Sequence, residues 1–153
     1  MLDDLDITIL KKLQENGRTK RNELADAIGL SIPSLSERLK KLEDNGVIEG
    51  YYTKVSRHAF GYDIMAFVTV LMESSRNYEK FFEHVKKTPE ILECHAILGE
   101  GSHLLKVTVK ETKNLESLLS KIQSWPGVTK TTTSFVLSSI KETTSLNLQS
   151  KKE

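Results

Sequence analysis

The chain has 153 residues and 17.3 kDa, enough for one domain or two small ones and too little for a large multidomain enzyme. Apolar residues make up 38% and charged residues 28%, so the chain can bury a core and is not disordered as a whole. Basic side chains number 22 and acidic ones 21, a formal net charge of +1 that excludes a globally polycationic nucleic-acid binder; any anion-binding surface must come from how charge is distributed.

The first helix carries Leu2, Leu5, Ile9 and Leu13 at helical spacing, with Asp3, Asp4 and Asp6 in its first turn, where carboxylates complement the helix dipole. Gly17 ends it. The same acids reverse the basic start of a secretion signal, and no apolar run approaches membrane-spanning length, so a soluble, unprocessed chain is expected. A second helix spans 21–28, with Thr19 as its expected N-cap, Leu24, Ala25 and Ile28 facing inward, and Gly29 as its stop. Ser31 caps a third helix, in which Leu35, Leu39 and Leu42 form a buried stripe and Asn45-Gly46 the terminator. Two short helices joined by residues 29–32, the second polar on its outer face, make a helix-turn-helix. An extended segment from Val47 to Tyr52 suggests the strand of a winged variant, leading into a linker over 51–62.

Beyond the linker, 64–71 is a β-rich apolar run, 78–87 is amphipathic and helical, and Pro89 breaks it. Strands are expected over 91–98 and 104–109, joined by the turn Gly99-Glu100-Gly101-Ser102. Leu115, Leu118, Leu119 and Ile122 mark a further helix ended by Trp125-Pro126-Gly127, and 128–137 is threonine-rich and strand-like. The order β-α-β-β-α-β is the ferredoxin-like arrangement, an antiparallel sheet with both helices on one face. The expected class is therefore α+β: a helix-turn-helix domain over 1–50, a linker strand over 51–62, a ferredoxin-like domain over 63–141 and a tail over 142–153. In that tail Leu146 and Leu148 alternate with polar residues, as in a short strand or a disordered end.

Residues 1–50 hold 8 basic and 10 acidic side chains, so DNA binding requires clustering. Arg18, Lys20 and Arg21 precede the second helix and Arg38, Lys40 and Lys41 lie on the third, while acids gather at 3–6 and 44–49. With the leucine stripe inward, Pro33, Ser34, Glu37, Lys40 and Lys41 point outward and Arg38 lies on the flank. Ser31, Ser34 and Glu37 are expected at base edges, Glu37 accepting from cytosine N4, and Arg38 and Lys41 on phosphates. Arg38 could instead form a structural ion pair, for example with Asp26.

Enzymatic raw material is sparse. His95 and His103 could approach across the hairpin, yet two histidines without a third ligand make a poor metal site. Cys94, the single cysteine, cannot form an internal disulfide and suits a reducing cytoplasm; it reads best as a small buried hydrophobe. No metal or cofactor is expected.

Leu5-Asp6 with Ile9-Leu10, Gly17-Arg18, Glu23-Leu24-Ala25, Gly29-Leu30-Ser31, Arg38 with Lys41-Leu42-Glu43, and Gly46-Val47-Ile48 with Gly50-Tyr51 closely resemble the Lrp/AsnC family of bacterial and archaeal transcription regulators. The C-terminal half agrees through element order and through Glu93-Cys94, Gly99, Leu104-Leu105 and Pro126-Gly127-Val128. The resemblance implies double-stranded DNA as partner, an N-terminal module that binds it, and a C-terminal module that dimerises, often builds octamers and in many members senses an amino acid. Siroheme decarboxylases resemble the same two-module architecture put to catalytic use, and a metabolite-binding regulatory subunit is a third reading. Amino-acid-sensing members carry a pattern like Gly-Asp-x-Asp in the loop between the second and third C-terminal strands. Gly99 and Glu100 match it, but Gly101 replaces an often bulky residue and Ser102 stands where the second aspartate is expected. A free amino acid brings an ammonium that needs an anionic partner, so ordinary amino acids, leucine included, are expected to bind weakly there.

Overall fold

The computed structural model describes residues 2–149. Two compact units divide the chain, one running up to Lys54 and including the tail from Lys141, the other spanning Val55–Ile140.

The first unit is helical. In α1 (Asp4–Glu15) the acids of the first turn close a reciprocal cap: Asp6 donates its N–H to Asp3 Oδ1 at 2.8 Å, and Asp3 donates its N–H to Asp6 Oδ2 at 3.1 Å. In α2 (Arg21–Ile28) the N-cap is Lys20, with no side-chain cap bond. The expected cap at Thr19 is therefore corrected: that residue lies one position too early to reach the first-turn amides, and its hydroxyl donates back to the Asn16 carbonyl at 2.6 Å. Gly29 ends α2 at φ +64°, a left-handed conformation that lets Leu30 N–H reach the Ala25 carbonyl at 3.1 Å. In α3 (Ile32–Asp44) Ser31 is the cap and Pro33 sits in the first turn, where no amide is needed. Ile9, Leu10, Leu24, Ala25, Ile28, Leu35, Leu39 and Leu42 meet in one core.

One expectation fails in this unit. Residues 47–52 form no wing strand and 51–62 no linker strand, because among the described residues the first unit holds no strand to pair with their N–H and C=O groups. Of the two readings of the 142–153 tail, a short strand or a disordered end, its described residues 142–149 form no strand. Instead Gln14 clamps it, donating from Nε2 to the Leu146 carbonyl at 3.0 Å and accepting the Leu146 N–H at 2.7 Å, and Leu148 packs on the core. The last four residues of the expected 142–153 tail lie outside the described residues.

The second unit opens with a short 3-10 turn, His58–Phe60. Then come β1 (Ile64–Met72), α4 (Tyr78–Lys86), β2 (Ile91–Ala96), β3 (His103–Val109), α5 (Thr112–Gln123) and β4 (Val128–Phe135). The sheet order is β2-β3-β1-β4 with every pairing antiparallel, the ferredoxin-like arrangement. Alternation on β1 sends Ile64, Ala66, Val68, Val70 and Met72 into the core with Leu105, Val107 and Val109 of β3; Phe81, Leu115, Leu118, Ile122 and Trp125 join them. β2 ends two residues before its apolar run does, since Ile97 N–H turns to the Ser102 carbonyl at 3.0 Å and Leu98 is fully exposed.

Candidate nucleic-acid interface

The outer face of α3 takes its direction from the inward leucines at 35, 39 and 42. Ser31, Pro33, Ser34, Glu37, Lys40 and Lys41 are exposed, as are Arg18 and Lys20 ahead of α2. The Ser31 hydroxyl accepts the Ser34 N–H at 3.4 Å and lies 3.0 Å from the Ser34 hydroxyl, so the serines are set side by side at the helix start. Sequence reasoning missed Ile32, 48% exposed at the same end although its side chain is apolar. It also counted Arg21 only within the basic cluster ahead of the second helix. Its Nη1 donates to Ser36 Oγ at 2.8 Å, joining the start of α2 to α3 across 15 residues that carry no periodic signal for the contact.

Arg38 has a different set of neighbours from those expected. Its Nη1 donates to Asp3 Oδ2 at 2.7 Å and to Asp6 Oδ1 at 2.8 Å, with only 29% of the side chain exposed. The two carboxylates raise the guanidinium's pKa, Asp3 foremost. Asp3 is held below the usual carboxylate range, first by the Asp6 backbone N–H and then by Arg38. The acids that cap α1 thus tie it to α3, and Asp26 takes no part. Lys41 pairs with Glu37 one turn away at 2.9 Å, both side chains about 70% exposed, and that bond lowers the Glu37 pKa. Such solvated pairs are held weakly and open readily for another partner. At the far end of α3, Tyr51 donates to Glu43 Oε1 at 2.9 Å; burial first, then this bond, pushes the phenol up to about 12.

The loop 99–102 is built for close packing. Gly101, at φ +106°, leaves no room for a side chain: a Cβ would meet Thr69 Cγ2 at 2.4 Å and the Val70 carbonyl oxygen at 3.1 Å. This is why no bulky residue stands there. Ser102 donates from its hydroxyl to the Val70 carbonyl at 3.1 Å and accepts the Met72 N–H at 3.2 Å. Gly99 and Glu100 are exposed. His95 and His103 lie on opposite faces of the sheet, since His95 pairs in register with Leu104 and His103 with Ala96. His103 is buried against Tyr78, Phe81 and Phe82, and burial lowers its pKa. Cys94 packs half-buried on the core, which raises its thiol pKa. No helix among the described residues is long and apolar enough to cross a membrane.

Residues 2–49 match a winged helix-turn-helix DNA-binding family, and residues 65–146 match the Lrp/AsnC ligand binding domain. The chain is 33% identical to the HTH-type transcriptional regulator FL11 of Pyrococcus horikoshii, with 97% of each chain covered. It is 37% identical to the proline dehydrogenase transcriptional activator of Rhizobium radiobacter, with 93% of each covered. A Neisseria meningitidis transcriptional regulator, solved as an L-Met complex, superimposes with a TM-score of 0.89 at 36% identity, covering 95% of this chain and 96% of that one. With a helix-turn-helix unit, a ferredoxin-like unit and these relatives, the chain is a DNA-binding transcription regulator and belongs to the Lrp/AsnC family.

Proposed function

We propose that this regulator reads a specific operator through the start of α3, in the major groove, and that two or more copies act together in the cytoplasm without catalysing a reaction. The observation that carries this reading is the Ser31-capped helix start. It leaves Ile32, Ser34 and Glu37 exposed, flanked by Arg18, Lys20 and Lys40, which have no carboxylate within 4.0 Å among the described residues. Ser31 and Ser34 reach base edges, Glu37 accepts from cytosine N4 and Ile32 packs on a thymine methyl, while Pro33 fixes the first turn. Arg18, Lys20, Lys40 and Lys41 neutralise phosphates. Arg38 holds α3 on α1 and so positions the reading face.

A second copy supplies a second recognition helix, and a dyad then spaces half-sites by about one helical turn. The sheet face away from α4 and α5 carries Phe67 and Leu71, 37% and 43% exposed, an apolar surface that suits sheet-on-sheet packing of two copies. An octamer is the larger form of the same assembly. The effector loop lacks a buried acid, since Glu100 is exposed and Ser102 is engaged with β1, and this supports weak amino-acid binding there.

Gel shifts across a salt series, with upstream DNA beside random DNA, test the reading. Lys40→Ala is expected to weaken both about equally and to flatten the salt slope by about one. Ser34→Ala and Glu37→Ala should change preference among operator variants, each lost base contact being worth on the order of 1–3 kcal/mol. An unchanged slope in Lys40→Ala and unchanged preference in the other two would refute it. Low-micromolar binding of any amino acid, lost on substituting Ser102, would overturn the effector reading.

A further inference from the structure

The residues that open the second unit line, at one end of its sheet, an open pocket of about 530 Å³, within the range of small-molecule sites. It is not the 99–102 loop. In the β1/β3 register, Ile64 pairs with Val109 at the cavity end and Val70 with His103 at the loop end. The seven residues of β3 separate the two by about 20 Å at about 3.3 Å per residue.

The cavity walls include Phe60, Tyr62 and Leu92, and three ionic side chains line it: Arg57, Lys110 and Glu90. Arg57 is oriented by donating from Nη1 to the Tyr62 carbonyl at 2.6 Å, and Lys110 Nζ lies 5.4 Å from the Tyr62 ring centroid. Among the described residues neither cation has a carboxylate within 4.0 Å. Glu90 is the converse case, a carboxylate whose Oε2 is buried with no donor. A buried acceptor left unpaired is costly, and Glu90 is among the residues that line the cavity.

Two cations without an anion, one acceptor without a donor and apolar walls describe the complement of a particular ligand. We propose that this cavity binds an apolar 2-hydroxy acid. Its carboxylate lies between Arg57 and Lys110, its hydroxyl donates to Glu90, and its hydrocarbon chain packs on Phe60, Tyr62 and Leu92. Formal charge selects the hydroxy acid over the amino acid: the site carries two positive charges and one negative, so a monoanion neutralises it and a zwitterion does not. This goes beyond the reading of α3 and does not depend on it.

The test is calorimetry on the full chain with three probes of one skeleton: 2-hydroxy-4-methylpentanoate, leucine and 4-methylpentanoate. The hydroxy acid is expected to bind at least about tenfold more tightly than either other probe. Arg57→Gln should weaken it by about tenfold or more, and Glu90→Leu, which removes the acceptor, should erase its advantage over 4-methylpentanoate. Lys110→Met, at an exposed side chain, serves if Arg57→Gln disturbs the turn. Absence of binding up to about 10 mM would overturn the assignment, as would leucine binding equally well or affinity unmoved by Arg57→Gln and Lys110→Met. Gel shifts of these variants without ligand should match the parent, so failure here is separable from failure of the DNA reading.

Discussion

The two units bury their apolar faces over very different distances along the chain. In the first, each helix starts or stops on a neighbour: Asp3 and Asp6 cap α1 together, Gly29 ends α2 and Ser31 begins α3. In the second, Ala66 lies between Val107 on one side and Phe135 on the other, so β1 acquires its neighbours from 41 and 69 residues away. They differ also in where ionisable groups sit. The first unit keeps Arg38, Asp3 and Glu37 within reach of water, whereas the second buries His103 among aromatic rings. The first unit buries Asp6 only beside the Arg38 guanidinium, at 2.8 Å, whereas the sheet core holds His103 against aromatic rings.

Truncating the centre of the sheet core should separate the units most sharply. Phe81 is fully buried and its ring lies 5.7 Å from that of Trp125, so Phe81→Ala is expected to cost about 3–5 kcal/mol. Trp125 fluorescence during urea unfolding reports that loss, while DNA binding in the absence of urea persists. Abolished binding in a variant whose sheet unit remains folded would show that the comparison is misdrawn.

Acid should act on the two units at different pH. His103 has a lowered pKa and faces Tyr78, Phe81, Phe82 and the Ser102 hydroxyl, none of them anionic. The unfolded chain therefore binds the proton first, and the second unit loses stability as pH falls below about 6.5. Trp125-monitored melts between about pH 7 and 5 should show the fall, and His103→Leu should flatten it; an identical slope in that variant rules the histidine out as its cause.

Removing the α3 cap is a smaller change. Ser31→Ala should destabilise the first unit by about 1 kcal/mol, read from helical circular dichroism on heating, and a neutral result would mean that the 3.4 Å bond to Ser34 N–H contributes nothing. The smallest effect belongs to the Arg38 pair, which solvent screens. Asp3 has a lowered pKa, so its stabilisation is complete above about pH 3.8 and disappears as pH falls through the folded value. Arg38→Ala should reduce this acid slope in the first unit while the Asp6 N–H bond keeps part of it, and a slope unaffected by the substitution would remove Arg38 from the account.

Much of the architecture was legible because it is local or periodic. Period 3.6 with Gly29, Ser31 and Gly46 located three helices, and period 2 with the 99–102 turn and Trp125-Pro126-Gly127 located the four strands and their order. The exposed positions of Ser34, Glu37 and Lys40 followed from the leucine stripe alone. Illegible were the side-chain partnerships: Arg38 with Asp3 and Asp6, Arg21 with Ser36, and Gln14 with Leu146, spanning 15 to 132 residues.

Spacing and punctuation thus determined which segments are helix or strand and which faces turn inward, since caps, turns and hydrophobic period act within a few residues. Tertiary structure decided the rest. Whether residues 47–52 form a strand depends on a neighbour to accept their hydrogen bonds, and whether Arg38 is free depends on carboxylates brought beside it by folding. That Gly101 must be glycine depends on Thr69 and Val70 standing against it, and that Arg57, Lys110 and Glu90 share one pocket depends on a turn at one end of a sheet. Each is a distance between residues remote in sequence, and a one-dimensional pattern carries no distances.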